Sequence, residues 1–247
     1  MSPRIHGTVE LNVAGERLRI EMRVPAGRTR PAALLPLFRT VADEVVGIAT
    51  KAAAAAGQTI SCTKGCGACC RQLVPISAIE ARRIRELVDQ LPEPRRSEIR
   101  ARFASATARL DAAGLLAALR APGEYTGAEL RALGLQYFAQ GVACPFLEDE
   151  SCSIHAERPV ACREYLVTSL AEHCAQPSAD NVTRVKVPAK VARAVRELEP
   201  AAASDGVGWV PLIVALEWAE AHPDRSQPRS GQELAREFFT RLRERKP

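Results

Sequence analysis

Eight cysteines in two groups constrain this chain of 247 residues more than any other feature. Cys62, Cys66, Cys69 and Cys70 stand in the run SCTKGCGACCRQL; Cys144, Cys152, Cys162 and Cys174 follow between VACPFL and EHCAQ. A soft metal ion or cluster needs several thiolates from short loops, and the close spacing of the first group lets neighbouring ligands reach one centre. Adjacent Cys69 and Cys70 project in different directions in most backbone conformations. Eight thiolates therefore imply either two neighbouring four-ligand sites or one cluster with cysteines to spare.

Disulfides are the weaker expectation. Eight cysteines in 247 residues fall far below the ~8–10% of a disulfide scaffold, and the chain is long enough to bury a core without staples. The start, MSPRIHGTVELNV, holds no apolar run suited to a secretory leader. The longest uncharged stretches, 52–63 and 206–216, are shorter than the ~18 apolar residues that span a bilayer. The expected compartment is the cytoplasm, where thiols stay reduced, and no membrane is expected as a partner.

A net charge of +5 is mild, although Arg supplies most of the 34 basic residues. Arg95, Arg96, Arg100, Arg102 and Arg109 lie on one helix face with Glu98 and Asp111 interleaved and few aromatics nearby, the pattern of a solvated surface. Nucleic acid is not expected as a partner, and a protein partner is left open.

The hydrophobic pattern predicts a mainly α protein: a helical domain with a loop-borne cysteine cluster and a small N-terminal β-hairpin. Alternation over 5–13 and 17–24 gives the hairpin. Setting Val13 opposite Leu18 puts Gly15 and Glu16 at a type II′ turn, but also sets Glu10 against Glu21. Phe38, Val41, Val45 and Ile48 mark the helix that covers it, ended by the alanine run 52–56 and Gly57.

Ser77 to Glu80 reads as a capping box before a helix striped by Ile84, Leu87, Val88 and Leu91. Pro92 and Pro94 separate the next helix, with Ile99, Phe103, Ala106, Leu110 and Ala113 in register. Thr126 to Glu129 and Ser230 to Glu233 are further capping boxes, the latter before Leu234, Phe238 and Leu242. Residues 182–187 read as a short strand, Val191 to Leu198 as a helix, and Pro211 to Ala219 as another with Trp209 and Trp218 at its ends. The expected divisions are 1–57 (hairpin plus helix), 58–180 (the cysteine-cluster metal-binding region) and 181–247 (a C-terminal helical extension packing on the same core).

Around the cysteines, Gly65 and Gly67 permit left-handed conformations for a backbone folding back on an ion. Pro159 begins a helix with Cys162 in its first turns, where the dipole favours a thiolate. Arg71, Arg158 and Arg163 are candidates to offset the negative charge of a thiolate centre, or else surface residues. His155 and His173 rank below the cysteines as ligands.

The strings CTKGCGACCRQLVPIS and CPFLEDESCSIHAERPVACREY resemble the YkgJ-type cysteine-cluster family, a zinc- or iron-chelating domain named for CxxCxxCC. The resemblance spans roughly residues 60–175. The chain departs once, with three residues between Cys62 and Cys66 where the family label has two. The family implies metal chelation and no particular reaction. Its cysteine pattern is similar to flagellin lysine-N-methylase, which implies, as an alternative, an iron-sulfur-dependent, S-adenosylmethionine-dependent protein-modifying enzyme.

The CxxxCxxC spacing of Cys62, Cys66 and Cys69 also matches radical S-adenosylmethionine enzymes. Those usually carry an aromatic where Ala68 stands, and a βα-barrel that this helical pattern does not provide. Zinc and an iron-sulfur cluster both suit the cysteines, with the methylase likeness tipping the expectation toward iron-sulfur. Buried thiols without metal would have no reason to cluster this way.

Overall fold

The computed structural model describes residues 3–178, 180–198 and 208–243. It is mainly helical, with strands only in short antiparallel pairs among the described residues, as the sequence pattern predicts. Strands β1 (Arg4–Val13) and β2 (Glu16–Pro25) form the hairpin, with Leu11 opposite Leu18 and Val13 opposite Glu16. This corrects the expected register by two residues. The turn centres on Ala14 and Gly15, both left-handed at φ 54° and 88°, the pattern of a type I′ turn. The physical gain is visible across the strands: Glu10 now faces Arg19 and Glu21 faces Thr8, so the like-charge pair of the expected register is avoided.

Strand β3 (Arg28–Thr29) leads into α1 (Leu35–Ala55), which ends at the alanine run and a left-handed Gly57. The short strand β4 (Pro75–Ile76) and α2 (Ala78–Asp89) follow the first cysteine loop, with the capping box formed as predicted. Next come α3 (Arg95–Ala112), α4 (Leu116–Arg120) and α5 (Gly127–Ala139), whose Thr126 cap is also formed. Ala113 falls just outside α3 as its C-cap. The second cysteine group runs through β5 (Leu147–Glu148), β6 (Ser151–Cys152), α6 (Val160–Glu164) and α7 (Ala171–Ala175).

The chain closes with α8 (Val191–Leu198), β7 (Val210–Pro211), α9 (Ala215–Ala221), β8 (Arg229–Ser230) and α10 (Gly231–Arg243). Two expectations change here. Residues 182–187 contribute one isolated bridge, Val167 to Arg184, in place of a strand. Val210 and Pro211 pair with β4, and Leu212–Val214 make a 3-10 turn before α9, because Pro211 sets an extended backbone ahead of the helix.

Two apolar cores result. In the first, Leu11, Val13, Ile20 and Val24 of the hairpin pack on α1, α8 and α10, with Phe38 and Phe238 rings 4.5 Å apart. The second gathers α2, α3, α4, α5 and the β7–α9 segment, with Phe103 edge-on to Phe146 at 5.6 Å. Each fully buried side chain of this size stabilises by about 1.5–3 kcal/mol.

The cysteine region is fastened to both cores. Phe146 belongs to the second and Val160 to the first. The α3 arginines reinforce this, since Arg95 and Arg102 both pair with Glu148 of β5. Arg96 and Arg100 pair with Glu93 and Asp89, and Arg109 donates to the Gln140 carbonyl. Among the described residues no helix is long and apolar enough to cross a membrane.

Candidate metal centre

The first cysteine loop leaves α1 at Gly57 and is pinned where the Ser61 N–H donates to the Val167 carbonyl at 3.0 Å. A left-handed Gly65, φ 87°, turns the chain at Cys66. Gly67 serves differently from the expectation: its backbone is not left-handed, but a Cβ there would lie 2.5 Å from Glu150 Oε2 and 2.7 Å from Leu147 Cδ1. A side chain there would have to push aside the ends of the Glu150 and Leu147 side chains, and its Cβ would lie 3.1 Å from the Glu150 Cα. A 3-10 turn over Ala68–Arg71 then presents Cys69 and Cys70.

The two groups are joined through backbone. The Cys144 N–H donates to the Cys70 carbonyl at 2.7 Å, and Arg71 grips Glu150 with two hydrogen bonds of 3.0 and 2.6 Å. Cys152 ends the tight β5–β6 turn. Cys162 sits in the first turn of α6, after Pro159, as predicted. That turn is held by Glu80, only 3% exposed, whose Oε1 accepts from the Val160 N–H at 2.7 Å while Oε2 closes the α2 capping box. Cys174 is carried by α7, and Val167 and Thr168 bridge back to residues 183–184.

All eight cysteines line one cavity of about 1140 Å³. They are free thiols, Cys174 buried and the others half-buried. Their mutual electrostatic influence falls into two sets. Cys174 responds to Cys62 and Cys66, and Cys162 responds to Cys144 and Cys152. Cys69 acts on both sets and is hydrogen-bonded to Cys70. Among the described residues, no three His, Cys, Asp or Glu side chains already form a group able to hold an ion. The cysteines share a chamber, and closing on a metal requires side chains or loops to move inward.

Burial dominates the acidity of these thiols. It raises Cys62, Cys152 and Cys174, lifts Cys144 to about 12 and raises Cys162 well above the ordinary value. The helix-dipole expectation for Cys162 is thus outweighed by desolvation. Cys69 is raised first by its hydrogen bond to Cys70 and then by burial. Without a cation these six thiols stay protonated at neutral pH, and a bound metal must displace those protons.

Of the three arginines expected to offset thiolate charge, two have other partners. Arg71 pairs with Glu150. Arg163, buried, makes two hydrogen bonds to Asp43 at 2.8 and 2.7 Å and another to the Ala156 carbonyl at 2.6 Å. Arg163 therefore braces the 155–163 turn from α1. Arg158 alone remains, with its Nε buried and unpartnered, and it lowers the cost of ionising Cys62, Cys69 and Cys152. A half-buried guanidinium that pairs with no acid among the described residues suits a wall facing anionic thiolates, so the residues present fit a thiolate-bound metal.

His155 is exposed at the cavity rim, and its proton affinity is lowered first by Arg158 and then by burial. His173 is engaged through Nδ1 with the Asn181 carbonyl at 2.8 Å. Sequence reasoning missed Glu80 as a support for Cys162, although its capping box was visible. It also missed Gln72 and Tyr165, hydrogen-bonded at 3.0 Å in the cavity wall, which carry no sequence signal.

No curated protein and no solved structure matches this chain. One family does. Residues 61–183 match the CxxCxxCC family, described as a putative zinc- or iron-chelating domain, and this span takes in every cysteine of the chain. Through residues 61–183, the chain belongs to the CxxCxxCC family.

Proposed function

We propose that the shared cavity binds zinc or an iron-sulfur cluster through two neighbouring four-thiolate sites. Cys62, Cys66 and Cys174 form one site, Cys144, Cys152 and Cys162 the other, and the Cys69–Cys70 doublet supplies one ligand to each. The observation that carries this reading is the meeting of all eight cysteines in one cavity, joined by the Cys70–Cys144 backbone hydrogen bond. The Cys69 and Cys70 thiols lie side by side on the 3-10 turn, so the doublet can serve two adjoining centres.

In this reading the thiols lose their protons to solvent as metal binds. Arg158 offsets part of the resulting charge, and Glu80 and Arg163 hold the α6 turn in position. The metal supplies either structural cross-linking, as zinc, or electron transfer, as a cluster. Free thiols are kept by a reducing compartment, which supports a cytoplasmic location.

A second reading, the cluster-dependent and S-adenosylmethionine-dependent modifying enzyme implied by the flagellin lysine-N-methylase likeness, is favoured by the cavity volume. A closed structural site needs no adjoining space, whereas about 1140 Å³ exceeds what metal ions fill. Anaerobic purification with metal and acid-labile sulfide analysis separates the readings. Brown protein with iron and sulfide in similar amounts, bleaching in air, supports a cluster; colourless protein with zinc and no sulfide under iron-replete conditions removes the enzyme reading. A spectral change on adding S-adenosylmethionine to the iron form supports the enzyme.

A further inference from the structure

The cavity has a second chemical face. Beyond the cysteines its wall carries Arg184, Lys186, Lys190, Arg193 and Arg196, and its lining acids are Glu150 and Glu164. Glu150 is engaged by Arg71. Glu164 caps α8, its Oε1 accepting from the Ala192 N–H at 3.1 Å. The wall is therefore strongly cationic, and a one-signed cleft focuses its field on anions.

Arg196 is the centre of this face. It is half-buried on α8, and among the described residues none of its donors makes a hydrogen bond or ion pair. Its electrostatic neighbours are Glu80 and Glu164, with Arg193 and Glu197, and include no cysteine. Of the three carboxylates among them, Glu80 and Glu164 accept backbone N–H groups and Glu197 accepts from Arg193. Arg193, by contrast, is exposed and paired with Glu197 at 3.1 Å. Arg158 serves the thiols; Arg196 lines the cavity and carries five donors in a planar fork suited to an oxyanion. Leu73, Val74 and Leu212 add an apolar surface to the same cavity.

We propose that this cavity binds a small organic anion, its carboxylate or phosphate held by Arg196 with Lys190 at the rim and its apolar body against Leu73, Val74 and Leu212. Its placement beside a metal rests on the reading above, whereas the anion site itself does not.

The test is calorimetric titration of the as-purified full chain with phenyl phosphate, benzoate and neutral phenol, with metal content measured in the same sample. One of the two anions should bind at least about tenfold tighter than phenol, which also identifies the head group, and its affinity should fall with added salt. Arg196→Gln should weaken it about tenfold, Arg196→Lys less, and Arg193→Gln by under about threefold.

Phenylglyoxal labelling of the unaltered protein, mapped by mass spectrometry, gives an independent reading if the variants fail to fold. The bound anion should protect Arg196. Equal binding of phenol and both anions, unchanged affinity in folded Arg196→Gln, or unprotected Arg196 overturns the proposal. Anion binding in protein that takes up neither zinc nor iron overturns the metal reading alone, and metal-loaded protein that ignores both anions overturns the anion site alone.

Discussion

Removal of the Glu80 carboxylate should damage the metal centre from outside its ligand set. Glu80 joins two structures: its Oε2 accepts from the Ser77 N–H at 2.9 Å and the Ser77 hydroxyl at 2.8 Å, and its Oε1 accepts from Val160 at 2.7 Å, two residues before Cys162. Glu80→Ala loses the capping box, at about 0.5–2 kcal/mol, and leaves the buried Val160 N–H without a partner, at about 1–3 kcal/mol. The sum is about 1.5–5 kcal/mol in urea unfolding, together with at least about tenfold weaker metal binding because the Cys162 turn is no longer fixed. Glu129→Ala is the control, since it removes the same kind of box on exposed α5 with no link to a cysteine. Competition with a chromophoric chelator reads metal affinity. If folded Glu80→Ala matches the Glu129→Ala control in both stability and metal affinity, the carboxylate is only a helix cap and the reasoning fails.

Four further outcomes follow from the same geometry. Metal affinity should rise with pH across the neutral range, because thiols raised by burial must each release a proton, by up to about tenfold per pH unit for each proton displaced; a flat profile in a chelator competition would contradict this. Metal-free protein should conversely lose stability between the ordinary thiol value of 9.0 and about 12 for Cys144, since ionisation in that window favours the unfolded chain. Gly67→Ala should destabilise by about 1 kcal/mol, at the low end for overpacking, because its methyl pushes aside the ends of the Glu150 and Leu147 side chains; unaltered thermal unfolding would refute the close contact. Cys66→Ala and Cys162→Ala should lose metal and become protease-sensitive over the cysteine region, while the core built from the hairpin, α1, α8 and α10 stays resistant; unchanged cleavage and metal content in both would count against coupling of metal to folding.

Local chemistry was well expressed in the sequence. The three capping boxes form because a hydroxyl and a carboxylate three residues apart satisfy helix-end N–H groups without help from elsewhere. The Pro159 start of the Cys162 turn is likewise set by a fixed φ. The hairpin register was not legible from alternation alone, which is equally satisfied by shifts of two residues; cross-strand charge and the Ala14–Gly15 turn decide it.

Pairings distant in sequence were the least visible. Nothing near Arg163 announces Asp43, and nothing near Glu80 announces Val160, so Arg163 looked like a partner for thiolates and Glu80 like a cap alone. The basic wall had the same difficulty, because Arg196 looks like any solvated helix residue until α8 is seen against the cavity.

The central claim is that the cysteines of both groups hold metal together. X-ray absorption at the metal edge of anaerobically purified protein, compared with Cys66→Ser and Cys152→Ser, tests it most directly. The account predicts sulfur-only coordination in the parent protein and loss of about half of the metal in each variant, since each substitution opens one of two four-thiolate sites. Protein that takes up neither zinc nor iron, or a metal coordinated mainly by nitrogen and oxygen, would contradict it.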